Sequence, residues 1–166
     1  MTRDTARRCA VHEAAHAVAA ALYGAPIRWV SIDPAHPHLR RGRWQPSHDA
    51  GVEYLTTLCL CGPAAEECYC GPITDGGDAT DLVMARDYLA RQFGPHQIGA
   101  EIARLHDAAA RLVRTDWARR RIALIADALL DCGTLSGAQI DGLLARIGGE
   151  ANFVSHLQNS CWRTAA

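Results

Sequence analysis

Residues 9–24, "CAVHEAAHAVAAALYG", decide how the rest of the chain is read. Alanine and leucine favour a helix. Gly24 stands where a left-handed C-terminal cap belongs, and Pro26 blocks continuation, so the pattern predicts a helix over 4–23. Inside it, His12, Glu13 and His16 make the pattern H-E-x-x-H. Residues four apart on a helix share a face, so both imidazoles can reach one ion. Zinc takes neutral imidazole nitrogen at about 2.0–2.1 Å and prefers four tetrahedral ligands. Glu13 then points beside the ion, placed to take a proton from a water activated there, and this makes it the candidate general base. The competing account is structural: the pattern has few fixed positions, the chain holds 8 histidines, and two core imidazoles could simply bond to carbonyls. Alanines 14, 15, 17, 19, 20 and 21 form a dry wall that makes unpartnered imidazoles costly to bury, which favours the metal.

A catalytic zinc needs a third protein ligand and an open fourth position. Spacing alone leaves Asp81, Asp78, Asp75, Glu66, Glu67, His36, His38 and His48 as candidates. Asp78 and Asp81 precede or open a helix, where the backbone dipole favours a carboxylate, although an aspartate there also serves as an ordinary N-cap.

Outward from the first helix, "IRWVSID" at 27–33 is β-branched and alternating, and reads as a strand. A long polar loop follows over 34–50, with a short second strand expected at 42–45. A helix is expected from Val52, kinked or restarted at Pro63 and ended by Gly71-Pro72. "ITDGGDAT" is a turn-rich connection, and "DLVMARDYLARQFG" is a helix starting at Asp81 and closed by Gly94. Apolar residues recur at helical spacing over 101–131. A last helix opens at Ser136, which can form a capping box with Gln139. The expected class is mainly α: an H-E-x-x-H helix of zincin type, a small β element and a C-terminal helical bundle.

The 166 residues suit a single domain, 1–166, and 49% apolar content allows a real core. A net charge of −1 without charged blocks gives no sign of nucleic acid or an acidic membrane surface as partner. All 17 cations are arginine, a compositional trait without functional weight. No secretory leader or spanning segment is evident, so the expectation is a soluble, cytoplasmic protein whose 7 cysteines remain thiols.

Beyond these readings, several segments resemble, in order, the peptidase domain of the FtsH family of AAA+ linked zinc metalloproteases. "HEAAHAVAAALYG" followed by "RWVSIDP" is similar to that domain's opening. "LCGPAAEECYCG" is similar to its G-R-A-A-E-E helix, "ATDLVMAR" to its S-N-D-I-x-x-A-T segment, and "ADALLDCGTLSGAQIDGLL" to its closing helices. The resemblance covers about 5–147 and leaves 148–166 as a C-terminal tail. It implies His12, His16 and Asp81 as zinc ligands, Glu13 as general base, and Gly42, Arg43 and Trp44 on a sheet edge that an extended substrate joins. It departs from the family in lacking a G-x-x-x-x-G-K-[ST] loop, which a chain without lysine cannot form, and in Ala15 and Pro63, which stand where the family carries glycine and arginine. The implied activity is zinc-dependent hydrolysis of peptide bonds in unfolded or flexible polypeptides, without ATP, nucleic acid or membrane, by a monomer or small homo-oligomer. The alternative is a catalytically silent zinc-bound module that docks a protein partner.

Other features read as structural. Cys59, Cys61, Cys68 and Cys70 lie two apart on a helix, facing different directions, and suit core packing better than chelation. Arg119, Arg120 and Arg121 read as a solvated face, and Trp29, Trp44, Trp117 and Trp162 as core or interface anchors.

Overall fold

The computed structural model describes residues 2–33, 43–44, 51–73 and 79–147. The first helix, α1, spans Arg3–Leu22. Thr2 caps it by accepting from Thr5 N–H, and Gly24 turns the chain away at φ +69°. Its alanine face is buried as the sequence predicts, apart from Ala21, which is half-buried.

A helix that is apolar on every side belongs at the centre of a bundle. That helix is α2, Val52–Cys70, whose residues from Leu55 to Glu66 are all buried. It packs against α1, against α3 (Ala79–Leu89) and against α4 (Pro95–Arg114). Leu58 and Leu60 are fully covered, each contributing on the order of 1.5–3 kcal/mol through burial. The helix does not restart at Pro63. Proline withholds one N–H from the ladder, yet α2 runs through it and stops only at Gly71, φ +88°. Cys59 and Cys61 are core residues, Cys68 and Cys70 are half-buried, and no disulfide joins cysteines among the described residues.

Two helix boundaries differ from expectation. The helix holding Asp81 begins earlier, at Ala79, and ends at Leu89, whose carbonyl takes the N–H groups of Gln92 and Phe93. Gly94 caps the next helix instead of closing this one, and Pro95 occupies its first turn, where a missing N–H has no consequence. The helical spacing over 101–131 is likewise divided between α4 and α5 (Asp116–Cys132). Thr115 breaks it by adopting extended backbone and accepting from Ala118 N–H. The apolar period survives the break because Leu112, Val113, Ala118 and Ile122 all face one core.

Among the described residues, three short strands form an antiparallel sheet in the order β2-β1-β3. They are β1 (Ile27–Ser31), β2 (Arg43–Trp44) and β3 (Thr134–Ser136). β1 is shorter than the expected 27–33, and β2 is the second strand anticipated at 42–45, of which Gly42 and Gln45 lie outside the described residues. β3 had no counterpart in the sequence reading. It pairs Leu135 with Val30 and Ser136 with Trp29. The last helix, α6 (Gly137–Arg146), opens with the anticipated Ser136–Gln139 capping box. The architecture is mainly α with a small β element. Among the described residues no helix is long and apolar enough to cross a membrane.

Candidate metal centre

Helical spacing puts His12 and His16 on the side of α1 that faces α2, and Asp81 approaches from the first turn of α3. The three side chains converge. Nε2 of His12 lies 3.1 Å from Nε2 of His16 and 2.9 Å from Asp81 Oδ2, and Nε2 of His16 lies 3.6 Å from Asp81 Oδ1. Three donors each bound at 2.0–2.1 Å in a tetrahedron would stand roughly 3.3 Å from one another. All three side chains are largely covered, keeping 10%, 12% and 17% of their surface in solvent for His12, His16 and Asp81.

The outer nitrogens of the rings are already committed. His16 Nδ1 donates to the Leu58 carbonyl at 2.8 Å, and a carbonyl can only accept. His12 Nδ1 faces Glu66 Oε2 at 3.2 Å. In neutral rings both Nε2 atoms are therefore bare, and with the Asp81 carboxylate they aim three acceptors at one small volume. Acceptors so arranged repel unless a cation lies among them, either a proton or a metal ion. Without a metal the proton goes to His12. Burial opposes its charge, but hydrogen bonds to Asp81 and Glu66 outweigh that and carry the imidazole from 6.5 to about 10. Asp81 is held well below the usual carboxylate range, since its burial is overcome by the charges and hydrogen bonds of His16 and His12. A set of two imidazoles and one carboxylate, with the outer nitrogens fixed by acceptors, fits a zinc ion and its supporting shell.

Glu66, a candidate ligand by sequence, instead stands behind His12. Its second oxygen accepts from Arg8 Nη1 at 3.1 Å, and the hydrogen bond from His12, helped by Arg8 against burial, lowers its pKa. Arg8 also donates to the Cys70 carbonyl at 2.7 Å and reaches those of Gly71 and Pro72, so it closes the C-terminal end of α2. Sequence reasoning missed Arg8. Its signal was position: it lies one turn before His12 on the same helix face. Glu67 points elsewhere, its Oε2 lying 3.5 Å from His106 Nε2 on α4. Asp75, Asp78, His36, His38 and His48 lie outside the described residues.

Glu13 is half-buried on α1 beside His12, and its charge adds to the field that favours a cation there. Arg43 and Trp44 form β2 at the edge of the sheet, opposite Trp29 and Ile27 of β1. Arg121 departs from the expected solvated face: it is buried, stacked 4.4 Å over the Trp117 ring, and donates to the Trp117 carbonyl. Burial, reinforced by the nearby Asp81 charge, pushes the Cys59 thiol far above its usual value, in keeping with a neutral core group. Compared with known proteins, the chain matches no family model and no curated protein.

Proposed function

We propose that this chain is a zinc-dependent endopeptidase acting on unfolded or flexible polypeptides. One observation carries the reading: two imidazole nitrogens and a carboxylate meet within 4.8 Å, with both outer ring nitrogens turned to other acceptors. The ordered resemblance of four segments to FtsH peptidase domains supports it from the sequence side.

His12, His16 and Asp81 would hold the ion. When bound, zinc supplies Lewis acidity, making water acidic near neutral pH and polarising a carbonyl. Glu13, one residue after His12, takes a proton at its carboxylate and returns it to the departing amine nitrogen. The Leu58 carbonyl and Glu66 fix the two ring planes, and Arg8 holds Glu66. An extended segment of substrate would add to the sheet edge at Arg43 and Trp44 through main-chain hydrogen bonds.

The test pairs metal content with turnover. Wild-type protein should carry about one zinc per chain and cleave casein. Glu13→Gln should keep the metal while turnover falls by about 10²–10⁴-fold. Asp81→Ala should lose zinc. A Glu13→Gln variant that cleaves normally would remove the base assignment, and zinc at full occupancy with no turnover of varied unfolded chains would leave a docking module.

A further inference from the structure

Where α2 crosses α1, its backbone passes beside the inner ends of both imidazoles, and the residue at that point is Gly62. A Cβ placed there would stand 2.4 Å from His16 Nε2, 2.6 Å from His12 Nε2 and 2.8 Å from His12 Cδ2. Real Cβ atoms essentially never come within 3.0 Å of such neighbours, so a methyl group would drive both ring ends back by about half an ångström. Metal-ligand distances hold within about 0.2 Å. The displacement exceeds what a coordination shell absorbs.

We propose that Gly62 is a positioning residue for the metal centre, an inference that rests on the metal reading above. Its missing side chain allows the two Nε2 atoms to approach to 3.1 Å while each Nδ1 stays on its own acceptor. Gly62 carries no ligand atom of its own; it acts by leaving open the space beside the two Nε2 atoms. Its conformation is ordinary helix, so backbone freedom does not account for glycine here. Glycine also weakens a helix interior. The atoms nearest the added methyl are the far ends of rotatable side chains, so the conflict is with ligand placement and not with the helix packing.

The experiment compares wild type, Gly62→Ala and Gly99→Ala. Gly99 lies in α4 with nothing within 4 Å of an added Cβ, so it reports the effect of alanine on a helix alone. Zinc affinity is measured by competition with a chromophoric chelator, and the melting of chelated protein by circular dichroism. Gly62→Ala is expected to bind zinc at least about 10-fold more weakly. Metal-free, it is expected to lose no more stability than the loss of the His12 and His16 ring contacts costs, so that in a His12→Ala/His16→Ala background it melts at or above its parent. Gly99→Ala is expected to bind as wild type does. A Gly62→Ala protein with wild-type zinc affinity overturns the proposal while leaving the metal reading intact; wild-type protein that takes up no zinc overturns the metal reading itself. If Gly62→Ala fails to fold, the same substitution is made in a His12→Ala/His16→Ala background. Folding of that triple variant like its double parent places the conflict at the rings and supports the proposal, whereas an unfolded triple variant places it in the helix packing and overturns it.

Discussion

Nδ1 of His12 lies 3.2 Å from Glu66 Oε2, and this contact turns the other nitrogen of the ring toward Asp81. A buried carboxylate behind a ligating histidine selects its tautomer and its plane. Glu66→Ala should therefore lower zinc affinity about 10–100-fold without removing any ligand. Equilibrium competition for zinc checks this, and unaltered affinity would reduce Glu66 to a partner of Arg8.

The same cluster sets a pH profile for the metal-free protein. His12 is raised from 6.5 to about 10, so its stabilisation is complete below 6.5 and is lost as pH climbs through about 10. Glu66 and Asp81 are lowered from 4.5 and 3.8, so their stabilisation is present above those values and is lost as acid protonates them. Chelated protein should be most resistant to denaturant between about pH 4.5 and 6.5 and weaken on either side. His12→Ala should flatten the alkaline limb; an unchanged limb in urea titrations would assign it to another group.

Thr57 buries its hydroxyl in α2 without a hydrogen-bond partner among the described residues. An unsatisfied hydroxyl costs roughly 1–3 kcal/mol on mutational scales. Valine has nearly the same shape and no such group, so Thr57→Val should raise stability by about 1 kcal/mol, or Tm by about 2–4 °C. Calorimetry of the two proteins decides it, and a lower Tm would contradict the assignment.

Gly137 joins β3 to α6 so tightly that an added Cβ would lie 1.9 Å from the Ile27 carbonyl oxygen. Backbone cannot swing aside as a ring end can. Gly137→Ala should therefore force β1 away from the start of α6 and cost about 1–3 kcal/mol. This contrasts with Gly62→Ala, where the atoms in the way are side-chain ring ends and not backbone. Urea unfolding of both variants separates the two cases.

Local signals carried much of this protein. The run from Cys9 to Gly24 encodes both a helix and a shared face for His12 and His16, because the spacing of four residues is a property of the helix itself. The Ser136–Gln139 box and the stop at Gly71 were legible for the same reason: capping and left-handed turns involve only near neighbours. The division at Thr115 was hidden because apolar periodicity continues across it, and β3 because three residues are too few to form a pattern. Which carboxylate meets the imidazoles was beyond spacing altogether. Asp81 lies 69 positions from His12, and Glu66, an equal candidate, lies 54 away. Only the packing of α2 on α1, and of α3 on α2, sends one to the inner nitrogen and the other to the outer one. Distances between remote side chains are fixed by how helices pack, and no local preference of the chain encodes them.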